Sequence, residues 1–245
     1  MEPTRTSDEL IFLAKLAEQC ERYEEMVDYC KALVNSKRVL TLDERNLLIV
    51  AYKNSITSKR NAWRILDVQE KNSKKESTES LKRITDYKHI IEDEISVICK
   101  DILGLVETIL LPSTKETEDI VFYLKVKADY NRYICEFSIG EIKLNASYIT
   151  QETYQKAYDL AIQTMTPTNP LRLGVALNFS VFYYDILLKQ DKACETAKKA
   201  FDDAITNLDN AKDDDCYKDA TLIIQLLRDN LTLWTSDVTE DTVNK

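Results

Sequence analysis

Apolar residues recur at spacings of three and four in nine stretches of this chain, near residues 7 to 21, 24 to 36, 43 to 70, 78 to 110, 117 to 139, 146 to 166, 171 to 188, 192 to 208 and 215 to 236. Each stretch predicts a helix. Thr6 with Glu9, Thr41 with Glu44 and Ser113 with Glu116 have the capping-box spacing, in which a hydroxyl and a carboxylate each satisfy one orphan backbone N–H. Asn169 before Pro170 has the form of an N-cap followed by proline at the first helical position. KNSKKES, LPSTKE and TPTNP are the clearest loops, and such short connections place consecutive helices antiparallel. No fixed-period repeat is visible, which argues against a tetratricopeptide array. The final VTEDTVNK is polar and is expected to be a disordered tail, 238–245, after a domain spanning 1–237.

Composition strengthens the all-α reading. Three glycines and four prolines are too few to punctuate a β-rich chain, and 245 residues can bury a substantial core. The opening MEPTRTSDEL lacks a basic segment followed by an apolar one, and nowhere do eighteen apolar residues run together, so neither secretion nor membrane insertion is expected and the location reads as cytoplasmic. Cys20, Cys30, Cys99, Cys135, Cys194 and Cys216 are scattered without a C-x-x-C pair and read as reduced, mostly buried small hydrophobes. A net charge of -9 argues against nucleic acid as a partner. A short anionic ligand met by a local cationic pocket is compatible with it.

Catalytic chemistry is missing. His89 is the only histidine, which removes most Ser/His and Cys/His nucleophile pairs and any histidine-based metal site, and it reads as a structural or surface residue. Gly104, Gly140 and Gly174 stand too far apart to form a phosphate-cradling loop. No enzyme, cofactor or metal is expected.

Four helical stripes remain. In YKNSITSKRNAWR, Lys53, Arg60 and Arg64 fall within an arc of roughly 40° at about 100° per residue. Ile49, Tyr52, Ile56 and Trp63 flank that arc on one side, and Leu47, Val50, Ala51, Ala62 and Ile65 on the other. These cations are either solvated charges or one wall of an anion site. Like charges at i,i+4 cost roughly 0.2 to 0.5 kcal/mol, which an anion from elsewhere would relieve. In YLKVKADYNRY, Lys125, Asp129 and Arg132 share a face beside Tyr133, and an Asp129–lysine pair would leave the arginines free. Guanidinium groups with a phenol suit a phosphate monoester. Gly174, Asn178, Val181 and Asp185 follow one helical line, and Ile223, Leu226, Leu227, Asn230 and Trp234 another. Each asparagine either bonds a neighbouring helix or clamps an extended peptide, since an amide both donates and accepts.

The runs ERNLLIVAYKN, VFYLKVKADYNRY, NPLRLGVALNFSVFYYDIL and YKDATLIIQLLRDNLTLWTSD make the chain strongly resemble the 14-3-3 family over nearly its whole length. The resemblance implies a nine-helix subunit that dimerises through its N-terminal helices into a cup with amphipathic grooves, each holding a phosphoserine or phosphothreonine segment. It implies that Lys53, Arg60, Arg132 and Tyr133 hold the phosphate with Arg64 at its border, and that Asn178 and Asn230 bond the peptide backbone. Leu177, Val181, Ile223, Leu226, Leu233 and Trp234 would form the apolar wall, with Lys125 lining the groove.

Several positions depart from the family pattern. Asp185 replaces a glutamate, Ala128 and Asn131 a glycine and a tyrosine behind Arg132, and Ala62 a serine whose phosphorylation opposes dimerisation in many relatives. At the dimer seam, Leu10, Leu13, Leu16 and Ala17 are expected to pack, with Tyr87 present and Arg22 and Glu94 keeping one cross-subunit ion pair. Glu25 faces Ile90 where a lysine is usual, so a second pair is lost. Exposed pairs contribute about 0 to 1 kcal/mol, so a homodimer, or a heterodimer with a paralogue, is still expected. The function implied is an adaptor that clamps, masks or brings together phosphorylated clients. The competing reading is a helical scaffold for unphosphorylated acidic or amphipathic partners.

Overall fold

Thr6 opens the first helix with a complete capping box, its hydroxyl accepting the Glu9 N–H at 3.3 Å while the Glu9 carboxylate takes the Thr6 N–H at 2.7 Å. Thr41 and Glu44 repeat the arrangement at 2.7 and 3.4 Å, and Asn169 Oδ1 accepts the N–H groups of Leu171 and Arg172 at 2.8 and 3.2 Å. The computed structural model describes residues 5–72, 78–211 and 216–243, with residues 210, 211 and 237–243 described by backbone alone. These described residues form nine helices and no strand.

The chain divides into two compact units, Met1–Thr114 and Lys115–Lys245. The first contains α1 (Ser7–Gln19), α2 (Tyr23–Lys37), α3 (Leu42–Asn72) and α4 (Thr78–Leu105), the last continuing through a π-helical turn Val106–Leu110 into Leu111–Ser113. In sequence order each of these helices packs on the next. Met26, Val34, Ala51, Ile56, Ile95 and Ile102 are among its fully buried side chains.

The second unit contains α5 (Thr117–Phe137), α6 (Gly140–Thr164), α7 (Pro170–Val181) with a π-helical extension Phe182–Ile186, α8 (Gln190–Asn207) with a final 3-10 turn Leu208–Ala211, and α9 (Tyr217–Val243). Its core stacks Tyr154 on Phe179 and Phe179 on Tyr183, with ring centroids 5.4 and 4.5 Å apart. Ala193, Ala197 and Ala204 are fully buried on α8. Such small side chains let helices approach closely.

The structure corrects several boundaries. Ser113 lies in the last turn of the preceding helix, so α5 starts from Glu116 with no side-chain cap and the third capping box does not form. Pro112 lies in that last turn, directly after the π-helical turn, and its missing N–H is a reason for the helix to end at Ser113. Helix α6 begins at Gly140 instead of near 146, because a positive φ of 57° at that glycine turns the chain straight from Ser138 and Ile139 into the next helix. Most of KNSKKES lies outside the described residues. The backbone of α9 is helical to Val243, into the stretch read as a tail, where no proline or glycine stops it. Cys30, Cys99 and Cys135 are buried, but Cys20 and Cys216 are exposed, so burial accounts for only part of the cysteine usage.

Candidate functional site

On α3, Tyr52 and Ile56 turn into the core of the first unit while Lys53 and Arg64 are exposed and Arg60 is half-buried. Amphipathic patterning accounts for most of this, since Tyr52 and Ile56 on one side of the arc and Leu47 and Ala51 on the other anchor the helix, whereas Ile65 is 60% exposed. Trp63 is half-buried, donates its indole N–H to Glu92 at 2.8 Å and carries the Lys88 ammonium 5.0 Å from its ring. Lys88 also bonds Asp67 at 2.6 Å and Glu70 at 2.8 Å, tying α3 to α4.

The cluster on α5 is built differently. Asp129 takes Lys125 Nζ at 2.7 Å and Arg132 Nη2 at 3.3 Å, so the expectation that Asp129 leaves Arg132 free is corrected. Tyr154 from α6 donates its hydroxyl to Asp129 and accepts Arg132 Nε at 3.1 Å. Asn178 from α7 donates Nδ2 to Asp129 Oδ1 at 2.7 Å. Arg132 Nη1 lies 3.7 Å from Glu136, and its guanidinium sits 4.8 Å over the Tyr133 ring. The arginine side chain is 9% exposed. Burial alone would raise the Asp129 carboxyl, but the charges of Lys125 and Arg132 hold it below the usual carboxylate range. Burial first, and then the Asp129 charge, push the Tyr154 phenol well above its ordinary value. The phenol therefore stays protonated and keeps both hydrogen-bonding roles.

Two small residues, Gly174 and Ala128, accompany this arrangement. Gly174 lies against the Lys125 stem, where an added Cβ would stand 3.4 Å from Lys125 Cε, close to ordinary van der Waals contact. Ala128 is fully buried in the core behind the cluster, and the buried Asn131 satisfies its amide on its own helix through the Lys127 carbonyl at 2.8 Å. The Asn131 amide N–H is therefore satisfied within its own helix.

Of the other candidate groove residues, Leu177, Asn178, Val181, Ile223 and Asn230 are half-buried, and Asp185, Leu226 and Leu233 are exposed. Trp234 is placed otherwise than an open wall would require. It is 3% exposed and stacks on Tyr184 with centroids 4.8 Å apart, so it supports the wall from within the core. Among the described residues no group of three or more His, Cys, Asp or Glu side chains could hold a metal ion, and no helix is long and apolar enough to cross a membrane.

The family model for the 14-3-3 protein matches residues 13–235. The chain belongs to the 14-3-3 family. It is 52% identical over 236 residues to 14-3-3 protein I of Plasmodium falciparum, covering 94% of this chain and 90% of that one. It is 49% identical over 242 residues to 14-3-3-like protein B of Vicia faba, with 98% and 92% covered, and 50% identical over 239 residues to Protein BMH2 of Saccharomyces cerevisiae, with 97% and 87% covered. 14-3-3 proteins are adaptors, not enzymes: they bind phosphorylated proteins and form dimers. This chain is such an adaptor.

Within the first unit, the residues that a 14-3-3 dimer would use are unequally available. Leu10 and Ala17 are buried in the chain's own core and Leu13 is half-buried. Leu16 is 44% exposed and Phe12, on the same helix, is 66% exposed. Arg22 bonds Glu25 of the same chain, which gives that carboxylate a partner despite Ile90. Glu94 lies 3.8 Å from Lys59, while Tyr87 and Ile90 are more than half exposed and Ala62 is half-buried. Ile90 and Glu94 also border a cavity of about 880 Å³ between α2, α3 and α4, floored by Tyr52 and Ser55. None of the candidate phosphate residues lines it. The solitary His89 is exposed and meets Glu92 at 2.8 Å, a surface contact.

Proposed function

We propose that Lys53, Arg60, Arg132 and Tyr133 hold the phosphate of a phosphoserine or phosphothreonine in a client segment, with Arg64 at its border. Asn178 and Asn230 take the segment's backbone, and Leu177, Val181, Ile223, Leu226 and Leu233 receive its apolar side chains, with Lys125 and Asp185 at the margins. The observation that carries this reading is the fixed guanidinium of Arg132, whose Nε and Nη2 sides are held by Tyr154 and Asp129. A guanidinium held in one plane has less freedom to lose when it meets a phosphate, whose oxygens accept in that same planar geometry. Each charge-assisted bond contributes about 1.5 to 3 kcal/mol.

The chain works in the cytoplasm as a homodimer, and two linked sites raise avidity for doubly phosphorylated clients through effective concentration. Residues 1–237 form the working domain. The reading is tested by titrating a phosphoserine decapeptide and its unphosphorylated twin against the full chain. Strong preference for the phosphopeptide is expected, and equal affinity would replace the phosphate site with a general anion-binding scaffold.

A further inference from the structure

Asp129 belongs to none of the groups assigned to the ligand, yet three helices converge on it. Its Oδ2 accepts Lys125 Nζ, and its Oδ1 accepts Arg132 Nη2, Asn178 Nδ2 and the Tyr154 hydroxyl. A buried anion next to a phosphate site repels the ligand it is meant to help. Its presence cannot serve attraction, because Asp129 and Glu136 already balance Lys125 and Arg132 within this cluster.

Geometry is what the carboxylate supplies. An ionised carboxylate accepts and cannot donate, so it decides which end of the Asn178 amide faces it. The amide nitrogen turns inward, and the carbonyl oxygen with the second N–H is left for a peptide backbone. The same oxygen accepts the Tyr154 O–H, which leaves that phenol's lone pair for Arg132 Nε and fixes the guanidinium plane.

We propose that Asp129 is the positioning residue of the client site, orienting Arg132 and Asn178 together so that recognition of the phosphate and of the peptide backbone is coupled through a carboxylate that does not touch the ligand. This rests on the phosphosegment reading above.

The test is a double-mutant cycle read as dissociation constants of a fluorescent phosphoserine decapeptide, with helicity and Tm recorded for every variant. Asp129→Asn keeps an acceptor oxygen but turns an amide N–H₂ toward the Lys125 ammonium. It is expected to weaken binding about tenfold in the native chain and by less than about threefold in an Asn178→Ala background, because groups within one network are non-additive. A purely structural role would lower Tm without that coupling. Native affinity in Asp129→Asn, or an undiminished loss in the Asn178→Ala background, overturns the proposal. Should Asp129→Asn lose its helical signal, Tyr154→Phe carries the test, because it removes one oxygen from the same network, and native affinity there overturns the proposal equally. A native chain that fails to distinguish the phosphopeptide from its twin overturns the site reading itself. A discriminating chain with a silent Asp129→Asn overturns only this inference.

Discussion

The cationic face of α3 and the cationic cluster of α5 carry similar residues under opposite physical conditions. Lys53 and Arg64 are exposed, where water screens their charge and their positions cost little. Arg132 is buried with Asp129, Tyr154 and Glu136 around it, where an unpaired cation would cost several kcal/mol. The first face therefore brings charge that is easily altered without harming the fold. The second brings fixed geometry at near-zero local charge. Attraction without orientation does not separate a phosphate from any other anion.

The sharpest way to break this contrast is to reverse one charge on each side. Arg132→Glu is expected to abolish phosphopeptide binding, by more than about 100-fold, and also to remove the guanidinium beside Asp129 and Glu136, leaving Asp129 paired with Lys125. Breaking such a buried pair costs about 3 to 5 kcal/mol, or a fall in Tm of about 6 °C or more. Lys53→Glu should lose binding as well, yet melt within about 1 °C of the native chain, as exposed substitutions do. Equal melting of the two variants would erase the distinction between charge and geometry.

Acid titration comes next in size. The carboxyls of Asp129, of Asp67 and Glu70 beside Lys88, and of Glu44 beside Lys37 are all held below their ordinary range, burial opposing and the neighbouring ammonium or guanidinium groups prevailing, aided at Glu70 above all by the Lys88 hydrogen bond. Groups lowered in the folded state stabilise it fully above their unfolded values near 4, and that contribution is lost as pH falls through the folded values. Thermal melts should be flat above about pH 5 and fall below about pH 4. The Asp129→Asn chain should fall less over that window, because one of the titrating groups is gone.

The dimer face offers two smaller tests. Replacing Phe12 and Leu16 by glutamine removes exposed apolar surface, and sedimentation at micromolar concentration should show a shift toward monomer, whereas Leu10→Gln should instead lower Tm because that side chain is buried at home. Ile90→Lys supplies the missing cation for Glu25, which already bonds Arg22. Its effect on dimer affinity should stay within about 1 kcal/mol, the range of an exposed ion pair. A larger gain would make the lost lysine decisive for assembly.

The all-α class, three of the four marked helix starts and the arc of Lys53, Arg60 and Arg64 were all legible as local periodicity and capping chemistry. The third capping box was not, because a π-helical turn carried the fourth helix through Pro112, and no local signal announces such a turn. Asn178 resolved as a donor to Asp129, one of the two readings its spacing had allowed. The role of Asp129 was half legible, since the i,i+4 and i,i+3 spacings to Lys125 and Arg132 lie within one helix while Tyr154 and Asn178 come from elsewhere in the chain.

What the sequence by itself determined is therefore what depends on neighbours a few residues apart: helix, face, charge and family. Tertiary structure decided which cations are exposed and which are buried, which leucines of α1 face the core, and which end of an amide points outward. Burial and hydrogen-bond partnership depend on residues brought together from distant helices, and only the packed chain sets them.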